Sequence, residues 1–524
     1  MTLTNTHILA SYKKIFSDKK NIQDIINNDI QINHLILYSI LSLKKNEEKE
    51  FRKWSFKYIP RVKKKKKKYQ ENHIFSRQRR LIVLKYLLVN YSNKKISINN
   101  NNKDLTALYK LFTLLNDNTK IETKSFEHHF TNTFLYEYRD NYISQLKRTQ
   151  DIFINNKIMD KYNILFKEYY KIELKEYIYI IYYISLNYNN INTTEYYNQN
   201  TFDNWSLNLG KDSTQANILF KKVLNIISFT IEEAIEFSNN SLNDYYNFDL
   251  FRSKPFLKID KNSYIPIDGK YMEDLIFHNL YYKILDIPSI KREEFMQDFG
   301  TPFEDYTSSL IKFSIKQTNY FNYQYIKEFS FKYKKNNLKS PDIMLFNKEE
   351  NEILVIEVKS ARVLDSINNI ESNKEATLKT LQKTKIKPAL QSTEAISKII
   401  ETKSHEYITN EVTYMFLSIS MSDIPMTTIQ YSMIQSQTNK DTSSAFISMN
   451  IEAFELFIKI ISSEYKYNFA QILGGYTRYK ENMSIKTYLN RIIKHNNIQN
   501  QEFDNLFLES QKEYLDFMKS IENV

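Results

Sequence analysis

Cysteine is absent from the 524 residues, and glycine occurs only 5 times, proline 8, tryptophan 2 and histidine 8. Without cysteine there can be no disulfide and no cysteine-ligated zinc, which fits a reducing compartment. The scarcity of glycine and proline leaves few tight turns and favours long helices. Among the histidines there is no HExxH and no metal-spaced pair, and the adjacent His128 and His129 diverge on a helix or a strand. Gly474-Gly475 is followed by Tyr476 with no lysine at the offset a phosphate loop needs, so energy from ATP would have to come from another subunit. Arg491 and His495, with three residues between them, fall short of the gap used by helical ribonucleases. The most membrane-like run, Tyr177 to Leu186, is far below the roughly 20 residues of a spanning helix. The start, MTLTNTHILASYKKIF, lacks the apolar core of a signal peptide. These absences lead us to expect a soluble, cytoplasmic chain with no membrane partner.

What is present is an aromatic, basic chain. It holds 40 Tyr and 34 Phe, is 42% hydrophobic, and carries a formal charge of +12. That length exceeds one ordinary domain, and the hydrophobic content suffices for real cores. The positive balance favours a polyanionic partner, because basic surfaces bind phosphate backbones by releasing condensed counterions.

Four segments can be read along the chain. Residues 1–250 are mostly helical, with apolar residues at three- and four-residue steps in Ile32 to Leu43, Leu105 to Leu115, Ile158 to Leu186 and Ala216 to Phe237. This half suits recognition or a protein partner better than a second active site. Within it, FRKWSFKYIPRVKKKKKK (Phe51 to Lys68) alternates aromatics with cations before a lysine run. A nucleic-acid groove would use Lys53, Trp54, Lys57, Lys63 and Lys64; an alternating strand with a buried aromatic face and a solvated lysine loop would also give this pattern. Residues 251–292 suggest a β-hairpin (PFLKI and SYIPI) and a helix from Tyr271 to Ile284, with Asp268-Gly269-Lys270 as a turn. Residues 441–524 read as a helical C-terminal segment, basic in part.

Residues 293–440 carry the chemistry. In SPDIMLFNKEENEILVIEVK (Ser340 to Lys359), two apolar runs flank the polar loop Lys348 to Asn351. Pairing Asn347 with Glu352 in antiparallel register sets Asp342 opposite Glu357, with Cβ atoms about 4.5–5.5 Å apart, and puts Lys359 on the same face. Two acids that near repel one another unless a cation lies between them. A helix should begin at Thr301-Pro302-Phe303-Glu304, a strand should lie around Tyr320 to Phe331, a helix should span Lys374 to Glu401 with a possible break before Pro388, and an apolar strand should cover Val412 to Ile419.

Pro341-Asp342 followed by Glu357-Val358-Lys359 resembles the signature of the PD-(D/E)xK nuclease superfamily, and the element order resembles its restriction-endonuclease-like αβββαβ core. The resemblance covers roughly Phe295 to Asp423. It implies an α+β multidomain nuclease in which Asp342, Glu357 and the backbone carbonyl of Val358 bind Mg²⁺, with Mn²⁺ able to substitute. Lys359 would orient or deprotonate the attacking water, and Glu304 would support the metal, although a glutamate there also suits a capping box with Thr301. Lys387 and Gln391 would reach toward phosphate or water. Gln391 is followed by STEAISK and not by the tyrosine of the RecB-like relatives. The expectation is a Mg²⁺-dependent endonuclease, acting on DNA rather than RNA, in a defence or restriction setting and able to form a homo-oligomer. The alternative is a non-catalytic nucleic-acid-binding or assembly protein with a structural nuclease-like core.

Overall fold

The computed structural model describes residues 10–16, 20–29, 32–43, 47–59, 62–63, 74–89, 105–118, 139–190, 207–208, 214–317, 321–363, 373–424, 446–480 and 483–522. The architecture is α+β. Helices make up most of the described residues of the first half, and one hydrophobic core runs from Ala10 to Ile521 through all four segments read above. No helix among the described residues is long and apolar enough to cross a membrane.

The stretch around Trp54 is helical, not an alternating strand. Its helix, Glu47–Tyr58, opens with Glu47, Glu48 and Glu50, which suit the positive end of the helix dipole. Helical spacing turns Phe51 and Trp54 inward and leaves Lys53 and Lys57 exposed. Trp54 is 5% exposed, so it packs the core and cannot stack on bases. Lys63 is exposed, and Lys64 lies outside the described residues.

A small sheet follows, made of β1 (Leu207–Asn208), β2 (Ser228–Thr230), β3 (Phe256–Lys258) and β4 (Ser263–Pro266), in the order β1-β4-β3-β2. The expected hairpin is the β3–β4 pair, and β2 interrupts the helix expected over Ala216 to Phe237. The helix expected from Tyr271 to Ile284 forms as two short ones, Gly269–Asp274 and Leu280–Leu285. Asp268 is fully buried: it caps the first of these through the Tyr271 N–H at 2.8 Å and pairs with both Arg77 and Arg80. Gly269 sits so close to the end of the helix Ile32–Ser42 that a Cβ would lie 2.7 Å from the Ser42 carbonyl oxygen, which requires glycine there.

The main sheet contains β5 (Tyr323–Lys327), β8 (Ile343–Asn347), β9 (Glu352–Lys359), β10 (Thr413–Ser420) and β11 (Phe446–Asn450), in the order β11-β10-β9-β8-β5. The first three form an antiparallel set, while β10 and β11 add in parallel after crossovers. Asn347 does pair with Glu352, as the loop count predicts. Two features depart from expectation. The region read as one strand up to Phe331 ends at Lys327 and is followed by a separate hairpin, β6 (Ser330–Tyr333) with β7 (Asn336–Lys339). The described part of the C-terminal segment read as helical begins with the edge strand β11.

Period-two alternation sorts the two faces of this sheet. Leu345, Leu354, Ile356, Val358, Leu417 and Ile419 pack with Phe303, Tyr306 and Leu310 of the helix Gly300–Gln317. On the other face Met344, Phe346, Ile353, Val355 and Phe416 pack against Ala389, Ile396 and Ile399 of the crossover helix Lys387–Thr402. A π-turn at Gln382–Ile386, and not a break, precedes Pro388. Pro388 has no N–H for the Thr384 carbonyl, and the Ser418 hydroxyl donates to that carbonyl instead at 2.8 Å.

Candidate active site

On the crossover-helix side, the sheet changes from apolar to polar along its strands. The row Val355–Phe416–Phe446 is followed by Glu357–Ser418–Ser448 and then by Lys359–Ser420–Asn450. The acids and the lysine therefore occupy the polar end of an otherwise apolar face.

Asp342 lies one residue outside the ladder, whose last β8–β9 pair is Ile343 with Ile356. Carrying that register one step further would place Asp342 against Glu357. At this point the side chain takes over from the backbone: the Asp342 carboxylate accepts the Val358 N–H at 2.7 Å. Val358, whose carbonyl is the expected further oxygen donor, keeps its own side chain in the core on the opposite face.

Lys359 Nζ donates to Glu357 Oε2 at 2.7 Å and lies 3.8 Å from Asp342 Oδ2. The Glu357 side chain is only 7% exposed, against 20% for Asp342 and 29% for Lys359. Burial, followed by the Asp342 carboxylate, pushes Glu357 up to about 7. Burial also raises Asp342, although Lys359 and the Val358 N–H act against it. Burial pulls the Lys359 ammonium down, but Glu357 and Asp342 outweigh it and hold the group above its ordinary value. With no ion bound, the two acids thus hold Lys359 as a cation.

Glu304 is half-buried at the fifth position of the Gly300–Gln317 helix. Burial first, and the Asp342 carboxylate second, push it up to about 7. The competing reading of Glu304 as a capping-box partner loses its basis, because the helix already starts at Gly300 and the Phe303 N–H bonds back to Phe299. Its neighbour Asp305 is exposed and accepts a bond from Asn156.

Lys387 and Gln391 are both exposed, while the sheet-facing positions of their helix are Pro388, Ala389, Ser392, Ile396 and Ile399. The structure does not bring either to the acids. Their place on that side is taken by Lys385, 1% exposed in the π-turn, which pairs with Asp423 at 2.7 Å and contacts Ser448 of the polar row. Sequence reasoning missed Lys385, yet it occupies a core position in the stripe Leu381, Lys385, Pro388, Ser392, Ile396, and a lysine in such a stripe needs a buried partner.

Among the described residues, no group of three or more acid or histidine side chains is arranged ready to hold a metal ion. The donors nevertheless suit a hard cation in kind. Asp342, Glu357 and Glu304 are carboxylates, and the Lys359 ammonium supplies positive charge between the first two. A divalent ion would have to take over the Lys359 contact with Glu357. Compared with protein-family models, with curated proteins and with solved structures, the chain matches none.

Proposed function

We propose that this chain is a Mg²⁺-dependent nuclease of the PD-(D/E)xK kind, cutting phosphodiester bonds in DNA in preference to RNA. The observation that carries the reading is the pairing of buried Glu357 with part-buried Asp342 at the polar end of the sheet, with Lys359 between the two carboxylates. A fold gains no stability from two acids side by side and largely out of water, since each raises the other's cost of ionisation. Asp342 and Glu357, supported by Glu304, would hold the ion; once bound, it would lower the pKa of a water and neutralise charge building on the phosphate.

The remaining work falls to the chain's own groups. The Val358 N–H fixes the Asp342 carboxylate in place, so one donor is oriented before any ligand arrives. Lys359, released from Glu357, offers a fixed positive charge to the phosphate oxygens and orients the attacking water. The apolar rows behind the acids exclude solvent and strengthen each of these interactions.

One observation favours the alternative of a non-catalytic nucleic-acid-binding protein: the Lys359–Glu357 pair already satisfies both groups. The two readings separate when purified protein is incubated with plasmid DNA and with RNA, in Mg²⁺ or in EDTA, beside Asp342→Ala and Lys359→Ala. The nuclease reading expects Mg²⁺-dependent cleavage by wild type that both substitutions abolish. Cleavage identical in all three proteins would end it.

A further inference from the structure

The hairpin β6–β7 stands outside the main sheet as its own two-stranded unit, inserted between β5 and β8. Its ten residues, SFKYKKNNLK, hold four lysines and no acid. Register and alternation sort them by side. Phe331 pairs with Leu338 on the inner side, where Phe331 is buried against the crossover helix and the Tyr333 hydroxyl donates to Glu401 at 3.1 Å. The outer side carries the pairs Ser330–Lys339 and Lys332–Asn337, and Lys334 with Lys335 forms the tip. All four lysines are exposed. Lys339 meets Glu328 at 3.1 Å, while Lys332, Lys334 and Lys335 have no carboxylate partner among the described residues.

The hairpin is also anchored to the acids. At its base the Ser340 N–H donates to the Phe329 carbonyl at 2.8 Å, and the Phe329 N–H donates to Ser340 Oγ at 2.9 Å. Pro341 and Asp342 follow at once, so Lys339 is three residues from the first acid, at most about 10 Å along the chain. The basic outer face therefore leads from the tip directly to the site. Lys334 at the tip has φ +53°, a left-handed conformation in which asparagine or glycine is more comfortable.

We propose that β6–β7 is a phosphodiester-backbone clamp, whose Lys332, Lys334, Lys335 and Lys339 hold nucleic acid and lead it across Asp342 and Glu357. The proposal rests on the nuclease reading for the identity of the polymer. Such contacts go to phosphate and are indifferent to base sequence, so they set position and affinity, not specificity.

The test is equilibrium binding in EDTA, where no cleavage occurs, of labelled duplex DNA, single-stranded DNA and RNA over a range of salt. The variant is K332Q/K334N/K335Q, and the control is K512Q/K519Q, two exposed lysines on the C-terminal helix Gln501–Glu522. The clamp predicts that the triple variant binds duplex about 10- to 100-fold more weakly, with the salt slope reduced by about 0.9 for each phosphate no longer neutralised, or about 0.7 on a single strand. It also predicts a thermal midpoint unchanged or higher, because asparagine suits the left-handed tip, and a control close to wild type. Equal binding by triple variant and wild type, an equal weakening in the control, or no binding of any of the three polymers by wild type would overturn the clamp. Its fate is separable from that of the metal centre. Binding that depends on the hairpin without cleavage in Mg²⁺ sinks only the nuclease, and cleavage with binding untouched by the triple variant sinks only the clamp.

Discussion

Replacing Glu357 by glutamine should make the protein more stable and inactive at once, and the pH dependence of that gain is the sharpest consequence of the site's electrostatics. The Glu357 carboxyl is raised from 4.5 to about 7, first by burial and then by Asp342. With a folded value above the unfolded one, the native state binds the extra proton between those limits. The group's favourable contribution is thus fully present below the unfolded value and is lost as pH rises through the folded value. At about 1.36 kcal/mol for each pKa unit the loss has an upper bound of about 3 kcal/mol. Coupling to Asp342 and Lys359 makes the net figure on the order of 1–3 kcal/mol. Glutamine is neutral at every pH and still offers an oxygen to Lys359 Nζ. Urea denaturation without divalent cations should find Glu357→Gln more stable than wild type at pH 8 by that amount, and within about 1 kcal/mol of it at pH 5. A variant less stable at pH 8 would refute the reasoning. It would mean that the Lys359 ion pair outweighs the buried repulsion and that the acids are there for structure.

Three further outcomes follow from packing. Trp54→Ala should cost about 3–5 kcal/mol of stability while leaving the salt slope of nucleic-acid binding unchanged, because Trp54 fills core. Arg148 is fully buried and bonds Glu455 at 2.5 and 2.7 Å, and the Tyr306 hydroxyl bonds the same glutamate at 2.8 Å. Arg148→Ala should therefore cost about 3–5 kcal/mol in denaturant unfolding by leaving buried acids uncompensated. Ser418→Ala should cost about 1–3 kcal/mol, since it strips the hydroxyl donor from the Thr384 carbonyl above Pro388.

The β8–β9 hairpin was legible because its signals are local. Four polar residues separate two apolar runs, and Asn351, at φ +52°, closes the turn in a conformation asparagine accepts. Once the loop is counted, the register of Asp342 and Glu357 follows with no knowledge of the rest of the fold. Glu304 could be placed on its helix, but the influence of the Asp342 charge on it depends on how that helix crosses the sheet, which no local pattern encodes.

The misreadings share a cause. Lys53, Trp54 and Lys57 alternate for a few residues, and a period of two over so short a span also fits a helix with residues 51 and 54 inward; the three glutamates before them were the better guide. The expected strand runs on to Phe331, into the start of β6, because Phe329 and Phe331 continue the alternation of β5, and the rest of the β6–β7 hairpin carried no assignment. The Lys334 to Asn337 run was its turn signal. For β11, FISMN reads as one apolar run into the helix that follows, and only pairing with β10 makes it a strand. Lys385 eluded the reading because its partners, Asp423 and Ser448, lie 38 and 63 residues further along.

The central claim is that the acids at the end of β8 and β9 are gathered to hold a divalent cation where Lys359 now bonds Glu357. It is tested most directly by titrating Mn²⁺ into the purified protein at pH 8 by calorimetry, with Asp342→Asn beside wild type. The account predicts saturable binding by wild type at this pH, where Glu357 and Glu304 are already largely ionised, and its loss in Asp342→Asn. Wild type that binds no ion, or a variant that binds as wild type does, would contradict it.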